Sequence, residues 1–277
     1  MKRMGAARPW LCALLFAAAS VYAQTSPPKI YEPEYGQPGK DVVWVPTPEI
    51  VVDTMIDLAK ITASDYVIDL GSGDGRLVIA AAKRGARALG MEYDDNLVAY
   101  SQRSAEQQGV ADKAQFVKAD IFASDFSQAT VLTLFLLPDM NERLRPQFLA
   151  MKPGTRIVAN FFGIGDWSSD EAVHIPESEK CGNYCVAHLW IVPAKVAGTW
   201  LMPQGELALV QGYQYFKGWY FSNGGTQEIA RGRVRGNELN FTLDGVSYSG
   251  RVSADVIEGT AGHEGASARW TATRKAQ

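Results

Sequence analysis

Apolar and polar positions divide this chain into three rhythms. Between residues 47 and 197, short apolar runs alternate with stretches of helical period. "DYVIDLG", "ARALGMEY", "AQFVKAD", "TVLTLFLL" and "GTRIVANFF" read as buried strands, and "RLVIAAAK", "DNLVAYSQRSAEQQG" and "MNERLRPQFLAM" as helices. Val52, Met55, Ile56 and Ala59 recur at helical spacing and predict a helix before the first strand, capped by Thr47 with Pro48 in its first position. Gly85 and Gly109 supply helix stops, and Pro146 should bend the last helix. "VAHLWIVPA" predicts a late strand, antiparallel and at or near the edge. Short strands separated by helices imply an α/β, doubly wound, Rossmann-like sheet, parallel for most of its width.

At about Gly198 the rhythm changes to short alternating runs punctuated by "NGG", "RGN" and "LDG". This predicts a meander of about seven or eight antiparallel strands, hence a small all-β barrel or sandwich over 198–277. It carries Trp200, Tyr213, Tyr215, Trp219, Tyr220 and Trp270. Most of these should fill a small core; any left exposed would suit a glycan, lipid or peptide partner.

The third rhythm is N-terminal. Lys2, Arg3 and Arg8 precede an apolar run over 10–19, and "VYA" before Gln24 has the small-x-small pattern of a cleavage site. Residues 1–23 therefore read as a secretory signal peptide cut after Ala23, which implies a periplasmic or secreted protein. The run is short for a bilayer span, so no stable membrane span is expected after cleavage; a retained N-terminal anchor is the alternative. Residues 24–46, rich in Pro, Gly and Tyr, predict an extended arm ahead of the 47–197 domain.

Composition adds two constraints. Cleavage would take the net charge from -3 to about -6, and a mildly acidic chain has no broad attraction for nucleic acid, so no nucleic-acid partner is expected. Of three cysteines, Cys181 and Cys185 would remain, bracketing "GNY". Along one extended strand their Cα atoms would stand about 13 Å apart, too far for a disulfide. A tight turn at Gly182-Asn183 would bring them together, and export favours that pairing. With His188, C-x3-C-x2-H would offer three ligands without an evident fourth, so no metal is expected. Two free thiols are the remaining reading.

The chemistry sits in "DLGSGDG", residues 69–75, with a strand before it and a helix after. Glycines let the backbone turn sharply and approach a ligand without a Cβ in the way. Arg76 stands where a dinucleotide fingerprint needs its last glycine. Two more acids end the next strands, Glu92 in "GMEY" and Asp120 in "VKADIF". Ligands of doubly wound sheets bind beyond the carboxyl ends of the strands, so Asp69, Glu92 and Asp120 should converge on one cleft.

This constellation resembles the class I, seven-strand S-adenosylmethionine (SAM) methyltransferases over roughly residues 42–195. The resemblance implies SAM as cofactor. It places Asp69, Gly71, Ser72, Gly73 and Gly75 beneath the methionine and ribose parts, Glu92 on the ribose hydroxyls, Asp120 on the adenine amine and Ile121 against the ring. "VWVPTPEIVVDTMIDLA", "DLGSGDGRLVIAAAKRGARALGME" and "LLPDMNERLRPQFLAMKPGTRIVANFF" look like the protein-lysine methyltransferase group whose members modify a subunit of mitochondrial ATP synthase. In that group the "VPTP" arm closes over the site. This chain departs from many amine and amide methyltransferases in having "LFLLPDM" where they carry Asn/Asp-Pro-Pro-Tyr.

The expected activity is methyl transfer to a nucleophilic acceptor, best read as a protein lysine. The alternatives are a small or lipid-like amine or hydroxyl, or a non-catalytic SAM-fold binding protein acting through its β domain. Trp44, Leu137, Pro138, Phe161, Phe162 and Trp167 are candidates for an apolar acceptor slot. Asp139 reads as a helix cap, His174 as a loop residue and His188 as a strand residue; no general base is assigned.

Overall fold

The computed structural model describes residues 31–176, 180–263 and 266–276. The signal-peptide reading of 1–23, and the start of the 24–46 segment, lie outside the described residues.

A seven-stranded sheet has the order β3-β2-β1-β4-β5-β7-β6. β1 (Tyr66–Leu70), β2 (Arg87–Glu92), β3 (Ala114–Lys118), β4 (Val131–Leu134) and β5 (Arg156–Asn160) run parallel; β6 (Glu171–His174) and β7 (Val186–Ile191) pair antiparallel at one side. β7 therefore lies one strand in from the edge. The edge is β6, a four-residue exposed strand that contains His174, so the loop expected there is a strand. Its polar sequence hides it, because an edge strand exposed throughout shows no apolar alternation.

The connections place α1 (Glu49–Leu58) before β1, α2 (Arg76–Lys83) between β1 and β2, α3 (Asp95–Gln107) between β2 and β3, and α4 (Pro138–Ala150) between β4 and β5. Val51, Val52, Met55 and Ile56 of α1 share one core with α2, α3 and alternate residues of the strands. Leu144 and Phe148 of α4 join a second core with Ile68, Leu70, Leu132, Leu134 and Ile157. Consecutive strand residues feed opposite layers, the period of two that makes both faces apolar.

Two helix starts differ from expectation. Pro48 occupies the cap position of α1 and no side chain caps it. Thr47 instead offers its backbone carbonyl to Arg76 Nη1 at 2.7 Å. α4 begins at Pro138 after Leu137, so Asp139 lies inside the first turn, where its charge complements the dipole, and is not the cap.

Strands β8 (Gly198–Met202), β9 (Gly205–Gly212), β10 (Tyr215–Ser222), β11 (Gly225–Arg235), β12 (Glu238–Leu243), β13 (Val246–Ser253), β14 (Val256–His263) and β15 (Ala266–Arg274) form a closed antiparallel barrel. β15 returns to pair with β8, so no edge remains open. Trp200, Phe216, Phe241 and Trp270 fill the interior, with Phe241 stacked on Tyr248 at 4.7 Å. Trp219 points outward and is exposed. The barrel locks onto the sheet at its antiparallel side. Trp167 Nε1 donates to Gln214 Oε1 at 2.9 Å, Gln214 Nε2 to the Ser168 carbonyl at 2.8 Å, and Arg233 pairs with Asp170 at 2.7 Å.

Candidate active site

The glycine loop turns immediately after β1. Gly71, Gly73 and Gly75 all take positive φ, and the N–H groups of Gly71 and Ser72 donate to the Met91 carbonyl at 2.9 and 3.0 Å. This fastens the loop to the end of β2. A Cβ on Gly73 would stand 2.5 Å from the indole nitrogen of Trp44, so only glycine fits beneath that ring.

The acids arrive as expected. Asp69, Glu92 and Asp120 line one cleft together with Gly71, Ser72, Gly73 and Ile121. The cleft holds about 1000 Å³ of non-atom space, its open mouth included. Glu92 faces the loop: Oε2 accepts from Gly73 N–H at 2.9 Å, and Oε1 from Tyr93 and Asp94 N–H at 2.7 and 3.0 Å. Asp69 is buried and accepts from Thr133 Oγ1 at 2.6 Å. Burial pushes its carboxyl up to about 7, against the pull of the Thr133 bond, with the charges of Glu92 and Asp74 adding to the rise. Asp120 accepts from Lys40 Nζ at 2.7 Å and from Phe122 N–H at 2.9 Å, and the lysine bond holds its carboxyl below the ordinary range.

Two of the glycine-loop residues have packing roles. Gly75 does not line the cleft; it leads into α2, and a Cβ there would strike Phe116 at 2.7 Å and Ser101 at 2.8 Å. The Ser72 hydroxyl is buried beside Gly90 without a hydrogen-bond partner, so that side chain is directed at β2.

The arm is not extended over residues 36–44. Gly36 N–H donates to the Trp44 carbonyl and Trp44 N–H to the Gln37 carbonyl, both at 2.9 Å, folding residues 36–44 into a small hairpin. That hairpin covers the cleft: Lys40 reaches Asp120 and lies 4.4 Å over the Tyr93 ring, while Trp44 caps Gly73. Arg76 ties its end down by reaching Thr47 and Asp74.

The acceptor-slot candidates separate. Trp44 lines the cleft. Phe161 and Phe162 belong to an aromatic cluster at the ends of β4 and β5, together with Phe135 and Tyr184. Leu137 and Pro138 are exposed beyond it, and the residues of that turn that line the cleft are Leu136 and Met140. Trp167 is not in the slot. It is 1 % exposed, packed on Trp190 and Tyr213 and bonded to Gln214, because the "IGDWSS" segment turns toward the barrel. His188 sits half-buried against Trp190, and burial holds its imidazole below the usual range.

Sequence reasoning missed Lys40, Phe135, Tyr184 and Asn160. Asn160 ends β5 one step past the Ala159–Leu134 pair, fully buried, with both amide atoms unpartnered. A polar residue closing the apolar run "RIVAN" was its signal. Lys40 had none, since its partner lies 80 positions away. Cys181 and Cys185 form a disulfide with Cα atoms 5.1 Å apart. Gly182, at φ +63°, makes the turn that brings them together.

Comparison with known proteins agrees with this geometry. The ANTKMT methyltransferase domain family matches residues 69–171. A protein-lysine N-methyltransferase of Saccharolobus islandicus is 42 % identical over 139 residues, covering 49 % of this chain and 86 % of that protein. The chain belongs to the S-adenosylmethionine-dependent methyltransferase family that includes it. A methyltransferase of Salinibacter ruber, described as acting on RNA and solved with S-adenosylhomocysteine (SAH), is 42 % identical with a TM-score of 0.51, over 55 % of this chain and 96 % of that one. A human lysine N-methyltransferase named for a subunit of ATP synthase is 37 % identical over 105 residues, covering 38 % of this chain and 45 % of that protein.

The enzyme is thus a SAM-dependent methyltransferase, with a seven-strand Rossmann-like sheet and a closed β-barrel. The donor set fits the cofactor: carboxylates for hydroxyls and an amine, glycine where the backbone must come close, and Ile121 with Met91 for a flat ring.

Proposed function

We propose that this methyltransferase acts outside the cytoplasm and methylates the ε-amine of a lysine in a protein. The single observation that carries the acceptor is the aromatic cluster of Phe135, Phe161, Phe162 and Tyr184, joined to the cofactor cleft through Phe135. Two relatives named as lysine methyltransferases support it. The Salinibacter relative is described by an RNA acceptor. The net charge of -3 favours a protein over RNA here.

Bound SAM supplies an activated methyl group on a sulfonium. The protein's work is then to hold, orient and exclude water. Glu92 would take the ribose hydroxyls, its carboxylate fixed by the Gly73 and Tyr93 N–H groups. Asp120 would take the adenine amine, Ile121 would pack on the ring, and Asp69 with Gly71 would meet the amino-acid end. The arm hairpin covers them, with Trp44 excluding water above Gly73. A lysine entering between aromatic rings loses hydration, which lowers its pKa and frees the nucleophilic lone pair. Neutral His188 is bonded at 3.4 Å to Ser169, and no proton transfer is assigned to it.

The disulfide suits an oxidising compartment. The barrel's outer face exposes Leu201, Val210, Trp219 and Phe221, the surface that domain offers to a glycan, lipid or peptide partner.

The test is incubation of the purified chain with methyl-labelled SAM and either periplasmic extract or total RNA, followed by hydrolysis. Labelled methyl-lysine is expected. Label confined to RNA or to low-mass material would reject the lysine acceptor. A fusion of residues 1–30 to a reporter active only outside the cytoplasm tests export, and a silent reporter would reject it.

A further inference from the structure

Cys181 and Cys185 close a five-residue loop between β6 and β7. Cys181 is fully buried in the core under α1, and Cys185 packs against the same core. The Ile175 N–H donates to the Cys185 carbonyl at 2.8 Å and the Tyr184 N–H to the Cys181 carbonyl at 3.3 Å. The loop is therefore anchored at both ends, and the residue it presents is Tyr184.

The Tyr184 ring meets Phe135 edge-on, with centroids 5.0 Å apart at 71°, and Phe161 at 5.5 Å and 86°. Phe161 completes the group from a left-handed backbone, φ +63°, held by donation of its N–H to the Val186 carbonyl at 2.8 Å. A bulky residue persists at such a φ only where its surroundings fix it, and such positions cluster at functional sites. Phe135 has one side in this cluster and the other in the cofactor cleft. Tyr184 thus packs on a ring that itself lines the cleft.

We propose that Tyr184 is a positioning residue for the methyl acceptor, the outer wall of a slot for an unbranched alkylamine, and that the Cys181–Cys185 disulfide holds it in place. This rests on the amine-acceptor reading above. The loop's glycine and exposed Asn183 offer little packing of their own. Without the covalent bond, Tyr184 keeps its two edge contacts and one long backbone hydrogen bond to Cys181, too little to hold the ring in place, and the slot opens on that side.

The probes are SAH and an analogue whose sulfur is replaced by nitrogen bearing a straight aminoalkyl arm. Calorimetry compares them on the full chain in four forms: native, Tyr184→Ala, Tyr184→Phe, and native treated with dithiothreitol. That dithiol gives up two electrons and two protons, the Cys181–Cys185 S–S bond becomes two thiols, and the reductant ends as its own cyclic disulfide. In native protein the arm should strengthen binding at least fivefold over SAH. Tyr184→Ala and reduction should erase most of that gain, Tyr184→Phe should keep it, and SAH affinity should stay within twofold throughout. If the gain survives both Tyr184→Ala and reduction, this inference falls while the amine reading stands. If native protein shows no gain, the amine reading falls and takes the inference with it. Loss of SAH binding on reduction would also overturn it, because the disulfide would then be holding the whole cleft.

Discussion

Trp44 rests on Gly73 so closely that a Cβ at position 73 would lie 2.5 Å from the indole nitrogen. The arm and the glycine loop are separate in sequence, yet each defines the other's shape. Gly73 also takes φ +55°, a region that disfavours any side chain. Gly73→Ala should therefore lift Trp44 and weaken SAH binding by about tenfold or more, with about 1–2 kcal/mol of lost stability from the backbone alone. Tryptophan fluorescence and calorimetry check it; an unchanged affinity would separate the arm from cofactor binding.

Glu92 is held by three backbone N–H groups, from Gly73, Tyr93 and Asp94, so its carboxylate is fixed before ligand arrives. Hydrogen bonds to a charged group contribute roughly 1.5–3 kcal/mol each. Glu92→Ala should reduce SAH affinity tenfold or more, measured by calorimetry. A change below threefold would remove Glu92 from the cofactor site.

Asp69 gives a pH signature. Its native carboxyl titrates near 7, against an ordinary 3.8. The folded state keeps a proton that the unfolded chain loses, so this contribution to stability is full below about pH 4 and disappears as pH rises through 7. Asp69→Asn stays neutral and can still accept from Thr133. Its melting temperature should exceed that of the native protein by about 3 °C or more at pH 8 and match it near pH 4. The cofactor's ammonium group favours ionised Asp69, so native SAH affinity should rise from pH 5.5 to 8 while that of Asp69→Asn stays weak and flat.

Trp167 tests the reassignment from slot to junction. Its side chain is fully buried, stacked 5.9 Å from Tyr213 and bonded to Gln214. Trp167→Ala should cost about 3–5 kcal/mol in denaturant unfolding. SAH affinity of the folded fraction should be unchanged; a selective loss of binding would return Trp167 to the active site.

Local chemistry wrote the strands, the helices, the glycine turn and the barrel meander into the chain, because the periods of two and 3.6 and the placement of glycine are set within a few residues. Asp69, Glu92 and Asp120 were legible for the same reason: each lies at or within two residues of the carboxyl end of a strand, and those ends share one side of a parallel sheet. Position along the chain does not say which way a side chain turns. By sequence Trp167 suits an acceptor slot, but the fold turns it into the barrel junction; Gly75 suits a ligand contact, but Phe116 and Ser101 fill the space beside it. Lys40 over Asp120, and Tyr184 beside Phe135, exist only because the folded chain brings together residues 80 and 49 positions apart. Such pairings are decided by packing among distant segments, which no short stretch of sequence contains.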